Sequence, residues 1–158
     1  FKSWFNNKYF ETDLGYIING DCLEEMKNIP DKSIDMILCD LPYGTTACKW
    51  DSIIPFEPLW GQYNRIIRDD GAILLFGQEP FMSKLICSNI DKFKYKWIWQ
   101  KTKATGFPIA NYRPLKSYEE IALCTDAPCT YTKNGSEGIY NPQGLSVIEL
   151  RKELVVNI

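Results

Sequence analysis

Short apolar runs alternate with stretches of helical periodicity along this chain, a pattern that predicts strands crossed over by helices. Tyr16-Ile17-Ile18 predicts a strand. A helix is expected from Cys22 to about Ile29, with Cys22, Met26 and Ile29 on one face, Asp21 and Glu24 spaced as a capping box, and Pro30 closing it. Ile34–Cys39 is rich in branched and apolar residues and reads as a strand that ends at Asp40. Leu59, Trp60, Tyr63, Ile66 and Ile67 then mark one helical face, and Asp69-Asp70-Gly71 is expected to turn the chain into a strand over Ala72–Phe76. That completes a crossover unit, right-handed by the general rule. Pro80 suits the first turn of a further helix through Asn89, with Phe81, Leu85 and Ile86 inward. Strands are expected at Tyr95–Trp99 and Glu120–Cys124, and the segment 126–144, rich in Pro, Gly, Asn and Thr, shows no period. The fold class that follows is α/β, with a mostly parallel sheet.

Composition narrows this to one domain. The chain has 158 residues, 45% of them hydrophobic and 14% aromatic, enough for one core and too much for a disordered tail. No apolar stretch approaches the roughly 18 residues of a membrane span. The opening Phe1-Lys2-Ser3-Trp4 has neither a starting Met nor the apolar core of a signal peptide, so the numbering is expected to begin inside a longer product. Six cysteines lack any C-x-x-C spacing and there is no histidine, so no metal site is expected. Several of the cysteines lie in apolar runs, which suits free thiols in a reducing, cytoplasmic setting. Without an imidazole, acid and base roles fall to carboxylates, lysines or tyrosines.

A net charge of −2 argues against a polyanionic partner until its distribution is read. Residues 1–91 and 119–158 are both acidic overall, whereas 92–118 carries Lys92, Lys94, Lys96, Lys101, Lys103, Arg113 and Lys116 with no acidic residue. Phe93, Tyr95, Trp97 and Trp99 alternate in this stretch, which fits a half-buried strand as well as a surface on which unpaired bases stack. Over 100–118 the residues Gly106, Pro108 and Pro114 predict an irregular basic loop, whose Lys101, Lys103, Arg113 and Lys116 are the expected nucleic-acid contacts.

In an open parallel sheet, ligands bind beyond the carboxyl ends of the strands, and Asp40-Leu41-Pro42-Tyr43-Gly44 stands at such an end. Taken alone, the tetrapeptide also fits a strand-to-turn connection capped by Asp40. These residues resemble the catalytic motif of the DNA amino-methyltransferases, Asp/Asn/Ser-Pro-Pro-Tyr/Phe/Trp. Ordered matches extend the resemblance over most of the chain: Ile18-Asn19-Gly20-Asp21-Cys22-Leu23-Glu24, Trp50-Asp51, Gly71–Phe76, Trp99-Gln100-Lys101, Gly106-Phe107, Arg113-Pro114-Leu115 and Tyr140-Asn141-Pro142-Gln143. They are similar to a phage-associated branch of the group whose catalytic residues precede the cofactor loop. Two positions depart from the pattern, Leu41 in place of the first proline and Tyr118 in place of the histidine before Glu119. Leucine keeps the backbone carbonyl and loses only the fixed φ of proline.

The resemblance implies a Rossmann-like methyltransferase sheet and transfer of a methyl group from S-adenosylmethionine to the N6 amine of adenine in double-stranded DNA, with the target base flipped out. N4-cytosine methylation, or a non-catalytic DNA-binding module, stays open beside it. Asp40 and Leu41 would accept the amine hydrogens, Pro42 would hold the turn and Tyr43 would stack on the base. Asp21, Cys22 and Asp40 would approach the cofactor, although Asp21 is equally explained as a helix cap. The family's Gly-x-Gly cofactor loop is missing from this sequence, so 1–158 is expected to be one partial domain, the catalytic and DNA-facing half. Such a half is expected to be inactive by itself and to offer an open sheet edge to a second copy or a partner chain.

Overall fold

The computed structural model describes residue 5 and residues 8–128. Strands β1 (Lys8–Glu11) and β2 (Tyr16–Ile18) form an antiparallel hairpin, with no ladder to the main sheet among the described residues. Asp21 starts helix α1 (Cys22–Glu25) as expected, its Oδ1 accepting the N–H of Leu23 at 2.9 Å and of Glu24 at 3.3 Å. A single 3-10 turn over Met26–Asn28 completes the segment. One detail differs from expectation: Leu23 and Met26 pack against the core, and Cys22 is exposed. A helix of one turn has no fixed stripe, so its orientation is set by what it meets in the later helix over Phe56–Ile66.

The main sheet contains β3 (Ile34–Asp40), β4 (Ile67–Gly77), β5 (Phe93–Thr105) and β6 (Lys116–Cys124), in the order β3-β4-β6-β5. β3 and β4 are parallel, and β6 is antiparallel to both of its neighbours, β4 and β5. Three of the four strands therefore point the same way, and the reversed β6 lies between β4 and β5. Helices α2 (Phe56–Ile66) and α3 (Phe81–Ser88) cover one face. Leu59, Trp60 and Tyr63 of α2 and Phe81, Met82 and Leu85 of α3 join Ile73, Leu75, Ala122 and Cys124 from that side of the sheet in a single cluster. Residues directly opposite in register share a face, so Leu38, Leu74, Leu123 and Tyr95 form one row on the other side. There Met36 is 54% and Leu38 56% exposed, and no helix of the described residues lies over them.

Two expectations give way here. Asp69-Asp70-Gly71 does not form a separate turn: β4 begins directly at Ile67, and the acidic stretch is absorbed as an irregularity between the pairs Ile34↔Ile67 and Met36↔Ala72. Gly71 is required at this point because a Cβ would stand 2.9 Å from the Asp35 carbonyl oxygen. The second correction concerns 100–118, which is not mainly an irregular loop. β5 continues through Lys101 and Lys103 to Thr105, and β6 starts at Lys116, leaving only 106–115 between them. Pairing across the hairpin outweighs the breakers because Gly106, Pro108 and Pro114 all fall inside the connection, where Gly106 adopts φ +99. Of the segment 126–144, residues 129 onward lie outside the described residues.

Candidate active site

β3 ends at Asp40 in register with Phe76, near the end of β4. The next residue, Leu41, sends its side chain into the core cluster, 5% exposed, and so pins the turn to the sheet. Asp40 is exposed. The hydroxyl of Tyr43 donates to Asp40 Oδ1, closing the turn through side chains, and among the described residues Oδ2 has no partner. Burial, then the hydrogen bond and the negative charge of Asp40, push the Tyr43 phenol above its ordinary pKa, so it stays protonated and serves as donor. Its ring leans on Phe81 of α3, with centroids 5.1 Å apart and planes at 34°.

In the sequence Asp51 is only part of a matching dipeptide; the structure gives it a specific task. Its carboxylate is buried at the mouth of the loop that leaves Tyr43, and it accepts three backbone N–H groups: Gly44 at 2.8 Å, Thr45 at 2.9 Å and Thr46 at 2.7 Å. Hydrogen bonding from Thr46, followed by the N–H of Gly44, lowers its pKa to about 2. A carboxylate five to seven residues downstream of three amides is a recognisable nest closure, but only the fold shows that the loop returns to it.

The other expected site residues are dispersed. Asp21 is engaged as the α1 cap, while Cys22 lines an open, mainly apolar cavity of about 210 Å3 with Phe5, Ile18, Gly20, Glu25, Met26 and Ile29. Lys101 is not free: it forms an ion pair with Glu119 across the hairpin. Lys96 likewise pairs with the buried Glu120 at 2.5 Å. Lys116 lies over the Tyr118 ring at 5.0 Å. Among the described residues, Lys103 and Arg113 have no acidic partner within ion-pair distance. The aromatic row is also more open than a half-buried strand would be: a register irregularity after Phe93 turns that residue to the core and leaves Tyr95, Trp97 and Trp99 exposed.

The registers place these groups relative to Asp40. β4 ends where Gly77 faces Glu120, but the β5–β6 pairing continues through Trp99↔Glu119 and Gln100↔Tyr118 to Thr105↔Lys116. A two-stranded ribbon therefore projects beyond the carboxyl end of the sheet, the end that carries Asp40. At about 3.3 Å per residue its paired part extends on the order of 15 Å past the sheet.

The sheet is Rossmann-like, and Asp40-Leu41-Pro42-Tyr43 stands at the carboxyl end of one of its strands. No family model matches the chain. The type II methyltransferase M.HinfI of Haemophilus influenzae is 28% identical over 141 residues, covering 71% of this chain and 38% of that protein. The DNA adenine methyltransferase YhdJ of Escherichia coli (strain K12) is 27% identical over 139 residues, covering 80% and 46%. In fold, the PvuII DNA methyltransferase (cytosine-N4-specific) superposes with a TM-score of 0.60 at 14% identity, covering 76% of this chain and 52% of that one. An M1.HpyAVI–SAM complex superposes with a TM-score of 0.50 at 19% identity, covering 73% and 57%. By sequence the chain is similar to these DNA methyltransferases, and its fold is similar to that of solved DNA methyltransferases. It spans less than half the length of the two curated relatives.

Proposed function

We propose that the protein methylates the N6 amine of adenine in double-stranded DNA. The observation that carries this reading is the exposed Asp40 carboxylate at the end of β3, held by the Tyr43 hydroxyl on one oxygen and open on the other. An exocyclic amine is a poor nucleophile because its lone pair is delocalised into the ring. Asp40 Oδ2 and the Leu41 carbonyl would each accept one amine hydrogen, localising that lone pair and stabilising positive charge as it develops on nitrogen. The Tyr43 ring, backed by Phe81 on one side, offers its remaining surface to a base rotated out of the stack. S-adenosylmethionine, when bound, supplies the methyl group. Asp21 caps α1 through Oδ1 and keeps Oδ2 free of a partner among the described residues, while the cavity beside Cys22 falls below the roughly 300–1,000 Å3 of ordinary ligand sites. No step is therefore assigned to residues around the cofactor.

The β5–β6 ribbon supplies the phosphate contacts in this reading, with Lys103, Arg113 and Lys116 as its available cations and Lys101 balanced by Glu119. A second copy or a partner chain at the β3 edge, and a cytoplasmic setting, belong to the same proposal. No helix of the described residues is long and apolar enough to cross a membrane, and Cys22, Cys39, Cys48, Cys87 and Cys124 are unpaired thiols.

Incubating the full-length protein with labelled S-adenosylmethionine and unmethylated genomic DNA, then digesting to nucleosides and mapping the modified positions, tests the proposal. Label in N6-methyladenine is expected, and Asp40→Ala should reduce transfer by about a hundredfold or more. Label in N4-methylcytosine alone would move the reaction to the other amine, and label in no base would leave only a DNA-binding module.

A further inference from the structure

The loop that leaves Tyr43 is closed on itself. The Asp51 carboxylate closes it by accepting hydrogen bonds from three backbone N–H groups, and its own N–H donates to the Cys48 carbonyl at 3.0 Å. Gly44, at φ +67, lies so close to Ile53 that a Cβ would stand 3.0 Å from its side chain. Residues 44–51 therefore form a small closed unit that begins directly after Tyr43. Trp50 is carried on this unit, one residue before the carboxylate that binds the Gly44 amide, yet it is 73% exposed. It has no aromatic or hydrogen-bonding partner among the described residues. A large flat side chain is thus displayed on a backbone that the Asp51 closure holds in place, in the loop that follows the proposed catalytic turn.

We propose that Trp50 is the wedge that fills the gap left in the duplex when the target base turns toward Asp40. This inference rests on the proposed function and adds to it a positioning residue for base extrusion. Taking one base from the stack leaves its two neighbours without a stacking surface and the opposite base without a pairing partner. An apolar side chain inserted between base steps restores part of that contact. The indole has the area for it, and the Asp51 closure removes most of the ordering cost that a mobile loop would incur on insertion. Tyr43 and Trp50 then divide the work, one receiving the extruded base and the other holding the place it left.

The test uses the full-length protein and the target sequence mapped above, in three duplexes. One has the normal base pair, one carries 2-aminopurine at the target position, and one has an abasic site opposite the target base. With the 2-aminopurine duplex, wild-type protein should raise the fluorescence, and Trp50→Ala should lose most of the rise while Trp50→Phe keeps it. On the paired duplex, Trp50→Ala should lower kcat/KM by about 10- to 100-fold, the worth of one base stack. Opposite an abasic site, where little unpairing is required, Trp50→Ala should return to within about threefold of wild type. Equal loss on both duplexes would make the indole a structural residue, and no loss on the paired duplex would make it an idle surface side chain; either overturns the proposal. Absence of methyl transfer by the wild-type protein on every duplex would refute the proposed function itself, and the wedge with it.

Discussion

Replacing Phe81 by leucine asks whether the core behind the site positions Tyr43. Phe81 is 2% exposed, at the start of α3, and its ring meets Tyr43 at 5.1 Å and Phe56 at 5.9 Å. Truncation to alanine would cost about 3–5 kcal/mol, a large share of the total stability of a domain, and would mix unfolding with any local effect. Leucine retains most of the apolar volume, so the loss centres on the two ring pairs. At about 0.5–1.5 kcal/mol each, plus a small packing defect, the expected destabilisation is about 2 kcal/mol. With a urea slope of about 2 kcal/mol/M, the midpoint should fall by about 1 M at unchanged slope. Tyr43 would also lose the wall that holds its ring, so kcat/KM for methyl transfer should drop about tenfold while methyl-donor affinity stays the same. A double-mutant cycle with Tyr43→Leu isolates the pair, and a coupling of about 0.5–1.5 kcal/mol is expected. Zero coupling, or an unshifted midpoint, would refute the argument that Phe81 orients Tyr43.

Two further outcomes follow from the charges. Substituting Lys103, Arg113 or Lys116 by glutamine should each reduce the slope of log K against log[salt] for DNA binding by about 0.9, whereas Lys101→Gln should change it less because Glu119 already balances that cation. Equal effects from all four would place Lys101 on the phosphates as well. Asp51 has a folded pKa lowered to about 2 from 3.8, so the unfolded chain binds more protons between those values. Its contribution to stability is complete above about pH 4 and disappears as the pH falls through about 2, and Asp51→Asn should flatten the acid limb of the stability curve within that window, measured by urea unfolding at a series of pH values.

The elements whose burial is decided locally were legible in the sequence. The α2 stripe of Leu59, Trp60, Tyr63 and Ile66 and the α3 stripe led by Phe81 and Leu85 face the sheet as their periodicity required. β3 ends at Asp40 as its apolar run indicated. Asp21 is the cap that its spacing suggested. The tetrapeptide at 40–43 could be located because a strand end fixes where its side chains emerge, whatever the rest of the chain does.

What escaped the sequence depends on partners distant along the chain. Gly106 and the two prolines argued for a loop from Lys101 onward, yet each residue of β5 as far as Thr105 gains from a ladder with β6 that no local window contains. Cross-strand register likewise set Glu119 opposite Trp99, diagonal to Lys101, and gave one cation of the basic patch an acidic partner. The Tyr43–Asp40 bond and the Asp51 clamp required a turn and a loop return that spacing alone leaves undetermined. Sequence determined which helix faces are apolar and where β3 ends, because those follow from periodicity and the cost of exposing apolar area. Only the tertiary structure decided which charges remain free and which aromatic stays exposed on a rigid loop, because pairing and exposure are properties of what folds back against a residue.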